Sequence, residues 1–289
     1  MSTIKTFIKR HPVFTYFALT FTISWGGMLL LIGGRGGIAG TNEETDPLVH
    51  LAMLAGPSIA GILLTGLVYG RAGLREFRYR LLKWRVGSRW YAIALLTAPL
   101  VAMMTLFALL PTSPVFLPGI FASDNKVSLI LSGIVVGLVA GFFEELGWTG
   151  FAIPKLRRHY SVLATGCIVG LLWGVWHLLL FYWTSGGFSG TFSLASFLPA
   201  VLFCVGVAPA FRVLMVWVYD HTDSLLVAML MHASNTGGVL MIIMPPAIAG
   251  VTAVTWYLLF AVALWVLGAA GVQARQTLPR QAKGVNKNG

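Results

Sequence analysis

The sequence predicts an all-α, polytopic transmembrane bundle of about eight helices, and three observations carry that prediction. The 289 residues are 57% hydrophobic and 10% charged, with a mean hydropathy of +0.82, well outside the composition of water-exposed domains. Apolar stretches of roughly 20 residues, enough to cross about 30 Å of hydrocarbon as helices, recur along nearly the whole chain. Most of the charge falls in the connections between them.

The first stretch, 12–33, is too long and too poorly matched to a small-residue cleavage site to be a removed signal peptide, so it reads as a helix. The others follow at 48–70, 90–111, 127–152, 161–184, 194–218, 224–244 and 250–271. They leave no separate soluble domain, and residues 1–289 are expected to form one integral membrane domain. Between the second and third spans, 71–89 carries Leu74, Phe77, Leu81 and Trp84 at helical spacing with arginines between them. That is the pattern of a helix lying on an anionic membrane surface; a solvated basic loop is the alternative. Cys167 and Cys204 fall inside spans without metal-type spacing and read as packing residues. Glycines scattered through the spans are expected to let helices approach closely.

A formal net charge of +11 raises nucleic acid as a partner, but the charge distribution speaks for topology instead. Seventeen of the 20 Lys and Arg fall near the two chain ends, in 71–89 or in 155–158. Arg35 and Lys126 lie on the other side, and Arg212 lies inside the sixth span, where it is expected to snorkel or pair within the bundle. With an even number of spans the basic segments share one side, which the positive-inside rule makes cytoplasmic. The expectation is a multi-pass cell-membrane protein with both termini in the cytoplasm and no nucleic-acid partner.

Of the nine acids, Glu43, Glu44, Asp46, Glu76, Asp124, Asp220 and Asp223 fall in or beside polar connections. Glu144 and Glu145 alone interrupt an apolar span. An ionised side chain costs about 2.5 to 3.5 kcal/mol at a helix centre, so such a pair should face a polar interior and be functional. His177 in the fifth span and His232 in the seventh join it at membrane depth. The acids and His232 each lie about two turns from the predicted cytoplasmic ends of their helices, whereas His177 counts deeper. Trp148 stands at i+4 from Glu144 and Thr149 at i+4 from Glu145. Trp173 stands one turn before His177, and Asn235 and Thr236 follow His232 at i+3 and i+4.

These residue types suit hydrolysis. A carboxylate beside an imidazole can hold and deprotonate water, while a second imidazole with an amide or hydroxyl can stabilise the oxyanion on a scissile carbonyl. Glu144, His177 and His232 could instead bind a divalent metal such as zinc whose water is the nucleophile. Residue types alone leave both mechanisms open.

The three segments resemble the CPBP family of intramembrane proteases, the group containing the type II CAAX prenyl protease and bacterial bacteriocin-processing or self-immunity (ABI-like) proteins. The family pattern is Glu-Glu-x-x-x-Arg, then Phe-x-x-x-His, then His-x-x-x-Asn on successive elements, and 141–236 carries the resemblance. It implies that Glu144 and His177 activate water. It further implies that His232 with Asn235 or Thr236 stabilises the oxyanion, that Glu145 supports the site, and that a membrane-associated protein or peptide is the substrate. Thr149 stands where the arginine is usual, which removes a charge partner for the glutamates. Trp173 stands for the phenylalanine, an exchange expected to be mild, and Thr236 for the asparagine. A non-catalytic immunity or scaffold protein is the alternative. A proton-coupled transporter is disfavoured because the two halves show no paired repeat of interrupted helices.

Overall fold

The computed structural model describes residues 3–34 and 47–277. Arg35, Glu43, Glu44, Asp46, Arg280, Lys283 and Lys287 lie outside the described residues, as does the side chain of Arg275. Eight helices among the described residues are long and apolar enough to cross a membrane: α1 (Pro12–Gly33), α2 (Pro47–Leu81), α3 (Ser88–Thr112), α4 (Lys126–Leu156), α5 (Val162–Thr184), α6 (Leu194–Thr222), α7 (Leu225–Ile243) and α8 (Gly250–Gln273). No strand occurs among the described residues. The protein is an all-α, multi-pass membrane protein, as its composition requires: in hydrocarbon only a helix or a closed barrel satisfies the backbone.

Helix starts follow from local chemistry. Asn125, Ser161, Ser193 and Ser224 each accept a hydrogen bond from a backbone N–H in the first turn of α4, α5, α6 and α7 respectively, covering donors that the helix leaves open. α6 ends at Asp223, whose φ of 48° is left-handed, and α7 starts two residues later. Such a short connection sets α6 and α7 side by side.

Two rows of glycine set the helix spacing around the motif residues. Gly133, Gly137 and Gly141 of α4 face α7, and a Cβ on Gly137 would lie 2.5 Å from the Ala233 carbonyl oxygen. Gly166, Gly170 and Gly174 of α5 face α6, and a Cβ on Gly174 would lie 2.5 Å from the Cys204 carbonyl oxygen. Backbones that close leave no room for any side chain. These rows join the acid-bearing helix to the one carrying His232, and the one carrying His177 to the one carrying Arg212. The most enclosed of the eight is α6, with 72% of its apolar window buried.

Two sequence expectations need adjusting. α4 does not stop at 152. After a turn at Leu146 and Gly147 it continues through a π turn, Trp148–Ala152, and a last helical turn, Ile153–Leu156. Glu144 is therefore about 18 Å of helix rise from that end rather than two turns. The basic segment 71–89 is not one surface helix. Helix continues only to Leu81, beyond a kink at Gly70 (φ 62°, ψ −154°), a conformation essentially confined to glycine. Phe77 is buried and packs with Leu146, Leu225, Met229 and Leu81, whereas Leu74 and Trp84 are exposed. Arg80, also buried, donates to the Tyr219 hydroxyl (2.7 Å) and to the Gly150 carbonyl in the π turn (3.2 Å). Arg157 and Asp220 form a two-pronged ion pair, Nη2 to Oδ2 at 2.6 Å and Nε to Oδ1 at 3.0 Å.

Candidate active site

α4 presents Glu144 and Glu145 to the interior, 3% and 0% exposed. The tight turn at Gly147 lets α1 and α2 come against them: a Cβ there would collide with the Pro57 carbonyl and the Tyr16 hydroxyl. Each carboxylate meets its own i+4 neighbour, as the spacing predicts. Trp148 Nε1 donates to Glu144 Oε2 at 3.3 Å, and the Thr149 hydroxyl donates to Glu145 Oε2.

The two acids differ in everything else they touch. Glu144 Oε2 also accepts from Trp173 Nε1 of α5 at 2.6 Å, so one oxygen is held by two indole N–H groups. Its other oxygen lies 3.8 Å from His232 Nε2. Glu145 Oε1 accepts from Arg212 Nη1 and meets His232 Nδ1, both at 2.6 Å. Arg212 is fully buried, with its guanidinium carbon 4.3 Å from the centroid of the Trp173 ring, where the ring quadrupole attracts a cation. Trp173 also sets its edge against His232, ring centroids 5.3 Å apart.

His177 lies one helical turn beyond Trp173 on α5 and is only half buried. Its Nδ1 is 2.8 Å from the Trp173 carbonyl oxygen. A carbonyl only accepts, so Nδ1 carries the proton and a neutral ring has its lone pair on Nε2. Phe181 stacks on the ring, and Trp173, Trp176 and Phe203 set edges around it. Glu144 and His232 are near enough to act on it electrostatically, although among the described residues no direct hydrogen bond joins them. Trp173, not His177, makes the hydrogen bond to Glu144.

After His232 the helix passes into a π turn over Ser234–Ile243, which bonds i to i+5 and re-aims the side chains that follow. Asn235 is 2% exposed and its Oδ1 has no hydrogen-bond partner among the described residues, while Thr236 is half-buried. A buried amide oxygen without a partner can accept from an incoming donor at little cost.

Residues 126–238, which hold all these motif positions, match the family model described as Type II CAAX prenyl endopeptidase Rce1-like. CAAX prenyl protease 2 of Methanococcus maripaludis is 24% identical over 169 residues, which cover 58% of this chain and 62% of that protein. The resemblance to the CPBP family holds. Residues 126–238 are similar to that Rce1-like family. The match spans less than two thirds of the length of that relative.

Within the Rce1-like core, two departures from the family pattern acquire a physical meaning. Thr149 cannot supply a charge, but Glu145 does not lack one, because Arg212 brings it from α6. The tryptophan at 173 is not a mild exchange: phenylalanine has no N–H, whereas Trp173 makes the shorter of the two hydrogen bonds to Glu144. Glu144, His177 and His232 are not gathered as a metal-ligand set. Among the described residues no three His, Cys, Asp or Glu side chains are grouped to hold a metal ion, and His232 Nδ1 already meets Glu145. Sequence reasoning passed over Arg212 as a site residue and Tyr16 altogether. Tyr16 is fully buried, near enough to Glu144, Glu145 and Arg212 to interact with them electrostatically. An arginine within an apolar span was the available signal for the first, and nothing in the α1 sequence distinguishes the second.

Proposed function

We propose that this chain is an intramembrane endopeptidase that hydrolyses a peptide bond in a membrane-associated protein or peptide, using water activated by Glu144 and His177. The observation that carries the reading is the divided state of Glu144: one oxygen fixed by two indole donors, the other 3.8 Å from the buried His232 imidazole. A carboxylate oriented in this way is a pre-positioned base.

Water between Glu144 and the free Nε2 of His177 gives a proton to Glu144 Oε1 as its oxygen attacks the scissile carbonyl, and Glu144 holds that proton until the amine leaves. The same proton then passes to the departing amine, and the C–N bond breaks. His232 faces the developing oxyanion with Nε2, assisted by Asn235 or Thr236. To donate through Nε2 while Nδ1–H is given to Glu145, the ring must carry both protons. Arg212 supplies the charge whose absence favoured a non-catalytic immunity or scaffold protein. The whole chain, 1–289, is read as one protease domain in the cell membrane, with both termini in the cytoplasm.

The test is cleavage by purified wild type and by Glu144→Ala, His177→Ala and His232→Ala, against membrane-tethered and peptide substrates, with and without a chelator. Each variant is expected to stay folded and lose cleavage, and wild-type turnover is expected to survive chelation. Retained cleavage in any variant removes that residue from the mechanism, and loss on chelation replaces the water mechanism with a metal one.

A further inference from the structure

We propose that Arg212 is the positioning residue for His232, acting through the oxygen of Glu145 that both residues share. The proposal rests on the hydrolytic reading above. Arg212 Nη1 and His232 Nδ1 meet the same atom, Glu145 Oε1, each at 2.6 Å. That oxygen therefore lies where guanidinium and imidazole together hold it, and the direction of His232 Nε2, 3.8 Å from Glu144, follows from it. The Thr149 hydroxyl on Glu145 Oε2 and the Trp173 ring beneath the guanidinium are neutral.

The charge is placed by helix packing rather than by a flexible side chain at a surface. Arg212 is 0% exposed, and the α6 backbone beside it at Val213 is held against Gly166 of α5, where a Cβ would lie 2.5 Å from Val213 Cα. Arginine stays protonated under all working conditions, so it is a permanent counter-ion for a buried carboxylate that would otherwise be costly. Nε and Nη2 of Arg212 have no hydrogen-bond partner among the described residues. The side chain thus concentrates its interaction on Glu145 and on the Trp173 face, and through them on His232.

Thr149 supplies the test, because it stands one turn after Glu145 on the same helix and already touches it. An arginine introduced at 149 reaches the same carboxylate from α4 once the one on α6 is gone. The full chain is purified as wild type, Arg212→Met, and the double variant Thr149→Arg/Arg212→Met. Folding is followed by size exclusion and thermal unfolding, and kcat and KM are measured on a membrane-tethered peptide. Arg212→Met is expected to lose about 100-fold in kcat with KM little changed, the scale of a roughly 1 Å misplacement of a reacting group, and the double variant to recover much of it. A folded Arg212→Met at wild-type kcat, or a double variant no faster than the single, overturns the proposal. Should Arg212→Met not fold, Arg212→Lys with and without Thr149→Arg decides. The lysine lacks the planar fork, so kcat should fall and the added arginine restore it; a lysine variant at wild-type kcat overturns the proposal. A wild type that cleaves nothing removes the hydrolytic reading itself, an outcome distinct from an active wild type with an unaffected Arg212→Met.

Discussion

Glu144 and Glu145 are neighbours in sequence and opposites in surroundings. Glu145 is closed in by a guanidinium, an imidazole and a hydroxyl, a set that uses both of its oxygens. Glu144 is held on one side only, by indole N–H groups that carry no charge, and its other side opens towards two imidazoles. Adjacent positions on a helix point about 100° apart, so a two-residue motif reaches two different environments without any loop. One acid has both oxygens engaged, and the other has its second oxygen 3.8 Å from His232 Nε2.

That contrast can be broken from either side. The largest effect is expected from Glu144→Gln, which keeps the shape and removes the base: cleavage should fall about 10² to 10⁴-fold with the unfolding temperature in detergent nearly unchanged. The reverse pattern would exchange the roles of the two acids. Glu145→Ala leaves Arg212 buried without an anion and should cost about 3 to 5 kcal/mol of stability, read from detergent or thermal unfolding; a variant as stable as wild type would show that the ion pair is not structural. Trp173→Phe restores the aromatic residue usual in the family but deletes the shorter bond to Glu144. A hydrogen bond to a charged group contributes about 1.5 to 3 kcal/mol, so cleavage should drop about 10- to 100-fold while folding is kept, and wild-type cleavage would deny the indole any orienting role. The smallest effect is expected from Thr149→Val: about 1 kcal/mol of stability, because Arg212 and His232 still hold Glu145, and any large loss of cleavage would mean that the hydroxyl does more than pair.

Much of this was legible in the sequence. Spans could be read from hydropathy because lipid forces helices, and the i+4 partners Trp148 and Thr149 fell where helical geometry places them. Arg212 could be seen as an oddity in an apolar span but not assigned, since 67 residues and a different helix separate it from Glu145. The indole bond from Trp173 to Glu144 was hidden for a different reason: a motif position classed as aromatic says nothing of an N–H that points at another helix. Asn235 and Thr236 could not be placed relative to His232 by counting at i+3 and i+4, because that count assumes a regular α-helix and the chain makes a π turn there. The end of α4 was misplaced because Lys155 and the arginines after it looked like the edge of the membrane, whereas the last turn, Ile153–Leu156, includes Lys155.

The two glycine rows have a consequence for how this protein fails. Where α4 meets α7 and α5 meets α6, the distance between chains is set by hydrogen atoms alone, and a single added methyl at Gly137 or Gly174 wedges the seam open. Such a lesion leaves every acid, imidazole and guanidinium intact in composition yet out of reach of its partner. Inactive alleles of this chain should therefore gather at positions that own no chemistry at all.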